Sequence, residues 1–111
     1  MNWTLIQEKY PKAFKFYTKK YGFADTKIAQ NNLLQMLNHS NQLDRLLYDF
    51  FDEQGIIIVI NYYWEGKTFC TEIWVNGKND SDILYNTRPE AEEQAFECAF
   101  AILEERLCGK G

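Results

Sequence analysis

Ile56-Ile57-Ile58-Val59-Ile60 places five β-branched side chains in succession. No other segment of the chain restricts the backbone as tightly. β-Branched residues are stiff at χ1, which crowds a helix and suits a pleated strand. The run is far too short to cross a bilayer, which takes about 20 apolar residues. Residues 56–64 and 67–75 extend the pattern, being rich in β-branched and aromatic side chains. Glu65-Gly66 between them suits a two-residue hairpin loop with the glycine at positive φ. In that register paired residues have numbers that sum to 131. Tyr62 then faces Phe69, Ile60 faces Thr71, Ile58 faces Ile73 and Ile56 faces Val75, a core face. The opposite face pairs Tyr63 with Thr68, Asn61 with Cys70, Val59 with Glu72 and Ile57 with Trp74, and is more apolar than a solvated face should be.

Helical patterns flank this hairpin. Thr4 to Tyr21 reads as helix interrupted at Pro11, which has no N–H to donate and suits the first position of a second helix. Tyr10, Phe14, Tyr17 and Tyr21 share one face of that helix, and Lys12, Lys15 and Lys19 another, with Gly22 as the stop. Asp25 can cap a helix running to about Leu37, and Asn38-His39-Ser40-Asn41-Gln42 reads as a loop. A further helix from Leu43 to Glu53 has Leu43, Leu46, Leu47, Phe50 and Phe51 on its apolar side and ends at Gly55. Beyond the hairpin, residues 76–82 form a turn-rich loop and Ile83-Leu84-Tyr85 a short third strand. Thr87 and Glu90 then form a capping box for the last helix. That helix carries a small-residue stripe of Ala91, Ala95, Cys98, Ala99 and Ile102, broadened by Phe96, Phe100, Leu103 and Leu107.

The expected fold is therefore α+β: N-terminal helices, a three-stranded antiparallel β-meander, and a C-terminal helix packed on one sheet face. The 111 residues fit one domain, with an N-terminal helical region over 1–42 and an α-β-β-β-α unit over 43–108. A hydrophobic fraction of 46% supplies a core without help from metal or disulfides. The three cysteines, Cys70, Cys98 and Cys108, have no C-x-x-C spacing and read as reduced thiols of a cytoplasmic protein. The opening Met1-Asn2-Trp3-Thr4 leads into an amphipathic pattern, with no apolar signal-type segment.

Little in the sequence suggests catalysis. His39 is the one histidine, in a polar loop beside Ser40, with no third group implied. Cys70 and Cys98 fall inside regular elements, where a free cysteine packs as a small hydrophobe. Asp49, Asp52 and Glu53, and Asp80 with Asp82, lack the spacing of a calcium loop and read as solvated surface. Gly55, Gly66 and Gly77 are isolated turn glycines, not a phosphate loop. The expectation is a chain that is not an enzyme, with no cofactor, no metal and no membrane span.

Two surfaces can bind. Residues 1–27 hold six lysines against Glu8 and Asp25, a net +4, which leaves −8 on the remainder. Lys12, Lys15 and Lys19 could contact nucleic-acid phosphates, but no arginine joins them for base readout. The plainer reading is a solvated helix face. The outer sheet face with Ile57, Val59, Tyr63 and Trp74 is either covered by the N-terminal helices or a surface for a partner or a second copy.

Two resemblances follow from these residues. The segment Leu47-Tyr48-Asp49-Phe50-Phe51-Asp52-Glu53-Gln54-Gly55, with the hairpin and then Thr87-Arg88 through Glu104, resembles small uncharacterised bacterial proteins of prophage type. That resemblance covers roughly residues 45–107, more weakly Lys9 to Phe14, and implies mobile-element origin without an activity. The element order over 43–108 also resembles the double-stranded-RNA-binding domain, which usually carries a lysine cluster at the start of its last helix. Here that stretch is Arg88-Pro89-Glu90-Ala91-Glu92-Glu93, whose carboxylates would repel a phosphate backbone. The leading expectation is a small, non-enzymatic interaction protein working through the outer sheet face and the acidic last helix, with nucleic-acid binding as the alternative.

Overall fold

The computed structural model describes residues 3–20 and 44–109, leaving aside the side chains of residues 44, 45 and 80–82. The helix expected from Asp25 to Leu37, the Gly22 stop, the 38–42 loop with His39, and the start at Leu43 lie outside the described residues. The element order is α1 (Trp3–Lys9), α2 (Pro11–Lys20), α3 (Asp44–Glu53), β1 (Ile56–Tyr63), β2 (Thr68–Val75), β3 (Lys78–Tyr85) and α4 (Arg88–Leu107). The α+β class is as expected from sequence. The chain divides into two units, Met1–Asp44 with Phe100–Gly111, and Arg45–Ala99. Helix α4 supplies residues to both.

In the first unit, Pro11 opens α2 as its chemistry demands. The core forms around Trp3, which is 2% exposed. Its indole stacks on Tyr17 at 5.5 Å and meets Phe100 edge-on at 5.7 Å. Phe14 lies 6.2 Å from Trp3, and Tyr17 meets Phe100 edge-on at 6.0 Å. Contacts of this kind contribute about 0.5–1.5 kcal/mol each beyond area burial. Phe14 and Tyr17 hold the buried face expected of them; Tyr10 is half-buried, and Tyr21 is outside the described residues.

The start of α2 has a cap that its own sequence does not provide. Pro11 has no N–H, and the tyrosine before it cannot cap with a short side-chain oxygen. Instead the Glu104 carboxylate accepts the Lys12 N–H at 2.6 Å and the Ala13 N–H at 3.2 Å. A carboxylate there also meets the positive end of the helix dipole, a contribution of about 1 kcal/mol.

In the second unit, Leu47, Phe50 and Phe51 of α3 are fully buried. Leu46, expected on the same side, is 37% exposed. The sheet has order β1-β2-β3 with both pairings antiparallel. The β1–β2 register runs from Ile56 with Val75 to Tyr63 with Thr68, as the strand pattern requires. Ile56, Ile58, Thr71 and Ile73 are buried on the inner face. The Arg88 guanidinium lies over the Phe69 ring on that face, at 5.1 Å, and marks where α4 begins. Thr87 caps α4 as expected, its Oγ1 accepting the Glu90 N–H at 3.3 Å. Ala91, Ala95 and Ala99 are buried with Phe96, but Cys98 is exposed, so the small-residue stripe is narrower than the sequence pattern suggests.

Both hairpin loops differ from expectation. The β1–β2 loop has four residues, Trp64 to Lys67, and not two. Lys67 donates its N–H to the Trp64 carbonyl at 3.4 Å, and Lys67, not Gly66, takes the positive φ of 52°. Four-residue hairpin loops are next in frequency to the two-residue kind, and this one keeps the same register. The β2–β3 loop is shorter than expected. Asn76 and Gly77 alone form it, at φ 54° and 78°, the double positive φ of a type I′ turn. Strand β3 therefore begins at Lys78 and takes in most of what the polar composition suggested was loop. The β2–β3 register shifts between Glu72 and Trp74, and the Asn79 Oδ1 accepts the Ile73 N–H there at 3.2 Å.

A Cβ at Gly77 would meet nothing within 4 Å. The cost of Gly77→Ala is then conformational, about 1–2 kcal/mol for a left-handed residue. Urea unfolding should show a lower midpoint with an unchanged slope; an unchanged midpoint would contradict the I′ turn.

Candidate outer-face docking site

Strand alternation gives the sheet an outer face made of rows across the strands. Ile57, Trp74 and Asn79 form one row. Val59, Glu72 and Asp82 form the next, then Asn61, Cys70 and Leu84, then Tyr63 and Thr68. The four residues expected to form a partner surface do share this face. Trp74 and Ile57 are about two-fifths exposed, Tyr63 is half exposed, and Val59 is half-buried. Cys70, by contrast, is 1% exposed and packs as a small hydrophobe.

The face continues into residues that the strand pattern did not single out. Trp64 is 74% exposed at the hairpin tip and Leu84 57% exposed on β3. With Tyr62, Tyr63, Glu65, Gly66 and Thr68 they line an open depression of about 410 Å³. The rule that partners sum to 131 places Trp64 opposite Lys67 in the ladder; in the structure it belongs to the four-residue loop and lines the same depression as Tyr63, Thr68 and Leu84. Leu84 could have been found by extending the register into the third strand, where it falls opposite Cys70.

One carboxylate on this face is held in place. Glu72 is half-buried. Its Oε1 accepts the Trp74 indole N–H at 3.0 Å, and its Oε2 accepts the Asn61 carboxamide N–H. Both donors are neutral groups, and together they orient the carboxylate.

The acidic side of α4 is less of a free surface than its composition suggests. Glu104 caps α2, and Glu92 accepts the Tyr48 hydroxyl at 2.8 Å beneath a Tyr48–Phe96 ring contact of 5.0 Å. Lys12, Lys15 and Lys19 are exposed on α2. The Glu104 carboxylate occupies the N–H groups at the start of that helix, where a phosphate would otherwise bind.

No reactive constellation forms among the described residues. None of the three cysteines is in a disulfide, and Cys98 and Cys108 are exposed. Burial first, and then the Glu97 charge, pushes the Cys98 thiol up. The Asp52 carboxyl is also raised, by burial and then by Asp49. Among the described residues, no three His, Cys, Asp or Glu side chains gather as a metal ion requires, and no helix is long and apolar enough to cross a membrane. Comparison with protein-family models, curated proteins and solved structures finds no match to this chain.

A raised thiol pKa means less thiolate at neutral pH. Cys98 should therefore react with iodoacetamide more slowly than a free cysteine in a short peptide, despite its exposure. Peptide mapping of a timed alkylation checks this, and a rate above the peptide's would contradict it.

Proposed function

We propose that this chain is a small non-enzymatic protein-interaction domain whose working surface is the outer sheet face and hairpin tip. The reading places it in the cytoplasm with its cysteines reduced. A phage or prophage origin is the part of the reading that rests on the motif resemblance over residues 45–107.

The observation that carries it is the set of exposed apolar side chains on the outer face, Ile57, Tyr63, Trp74 and Leu84, and at the hairpin tip, Trp64. Scattered exposed apolar residues are ordinary, but adjoining ones that include two tryptophans and a tyrosine mark a binding surface. Leaving Trp64 in water forgoes about 1.5–3 kcal/mol, the gain from burying a large apolar side chain. A partner that covers it recovers that gain.

The exposed lysines of α2 support a second reading, phosphate contact through Lys12, Lys15 and Lys19. One capture experiment separates the two, with tagged full-length chain in a lysate of the source cells. Trp64→Ala with Leu84→Ala changes exposed groups and should alter stability by no more than about 0.5 kcal/mol per site. Proteins captured by the natural chain should be lost with this pair and retained when Lys12, Lys15 and Lys19 become glutamate. Capture that survives the tip substitutions contradicts the docking reading. Salt-sensitive nucleic acid that is lost only with the lysine substitutions supports the second.

A further inference from the structure

We infer that the segment docking on this face is an extended peptide carrying an arginine for Glu72, with apolar side chains two and four residues along. The inference rests on the docking reading above and specifies the partner's chemistry.

The charge of the face is the first support. Glu72 is the carboxylate that β2 places on this face, and no lysine or arginine lies within β1 or β2. Among the described residues, Glu72 has only the Trp74 and Asn61 donors, both neutral. A bound cation would add a charged partner to these two.

Geometry narrows the cation. Each Glu72 oxygen accepts one hydrogen bond and keeps a second acceptor position. A carboxylate fixed in orientation with a free site on each oxygen suits the two-pronged donor of a guanidinium. The exposed Trp74 ring beside it offers a surface on which a guanidinium stacks. A nucleic acid is disfavoured, because the Glu72 carboxylate would face its phosphates. A second copy docked face to face is disfavoured too, since β1 and β2 hold no lysine or arginine with which a copy could meet Glu72.

Spacing supplies the rest. From the Glu72 row to the Tyr63–Thr68 row is four residues along β2, or about 13 Å at the rise of a strand. The exposed Leu84 lies in the row between them. An extended peptide with its arginine on Glu72 therefore presents its second following residue at Leu84 and its fourth at Tyr63 and Trp64.

The test uses full-length protein and the synthetic peptide Ser-Arg-Ser-Leu-Ser-Leu-Ser, with its reversed sequence and with lysine, glutamine and glutamate in place of arginine. Binding is read from the indole N–H resonances of Trp74 and Trp64. An arginine peptide, in one of the two directions, should shift both resonances and bind about tenfold more tightly than its glutamine analogue, the effect of a hydrogen bond to a charged group. Glu72→Gln should remove that difference, while Glu90→Gln and Glu105→Gln on α4 should leave it. Three results overturn the inference: no binding of either arginine peptide into the millimolar range, equal binding of the glutamine or lysine peptide, or an arginine preference that survives Glu72→Gln. Equal binding of all peptides at Trp64 and Trp74 would defeat the arginine assignment and leave the docking surface standing. Loss of the docking reading shows separately, as lysate capture that persists without Trp64 and Leu84.

Discussion

The β1–β2 ladder is the constraint on which the candidate site depends. A strand has a side-chain period of two, so one register choice sends every residue to one face or the other. With Ile56 opposite Val75, the same step that buries Ile56, Ile58, Thr71 and Ile73 turns Ile57, Tyr63 and Trp74 outward. A slip of one residue would exchange these sets. Burial of the inner face therefore fixes the outer face as well, and the apolar surface exposed there follows from the register that forms the core.

Carboxylates do much of the remaining structural work. Glu104 caps a helix that begins with proline, Glu92 receives the Tyr48 hydroxyl, and Glu72 is held by Trp74 and Asn61. The acidic surplus outside residues 1–27 is therefore not a uniform solvated shell. Part of it satisfies donors inside each unit. Glu72 is the case in which the carboxylate lies on the outer sheet face.

The legible parts of this fold are those set by local chemistry. Pro11 opens α2, Thr87 caps α4, and the β-branched run fixes both the strand and its register. What the sequence obscures is set by competition between local rules. Glu65-Gly66 and Asn76-Gly77 both suit a two-residue loop, and only the second forms one; the first yields to a four-residue turn that moves the positive φ to Lys67 and exposes Trp64. Polar residues after Gly77 suggest loop, yet an edge strand tolerates them, so β3 starts at Lys78. Trp3 and Glu104 were hidden for another reason. Glu104 meets Lys12 from 92 residues away, and Trp3 meets Phe100 as well as Phe14 and Tyr17, contacts that no local period records. Of the candidate site, Ile57, Val59, Tyr63 and Trp74 follow from strand alternation alone. Trp64, Leu84 and the Glu72 clasp required the loop length, the third strand and the side-chain hydrogen bonds.

The chain's three tryptophans report directly on the central claim, that the outer sheet face is exposed while Trp3 is buried in the core of the first unit. A soluble paramagnetic probe broadens NMR signals in proportion to their accessibility. In the full-length protein the ring signals of Trp64 should broaden strongly and those of Trp74 measurably, while those of Trp3 should be spared. Protection of Trp64 and Trp74 equal to that of Trp3 would mean that the face is covered, and would contradict the account.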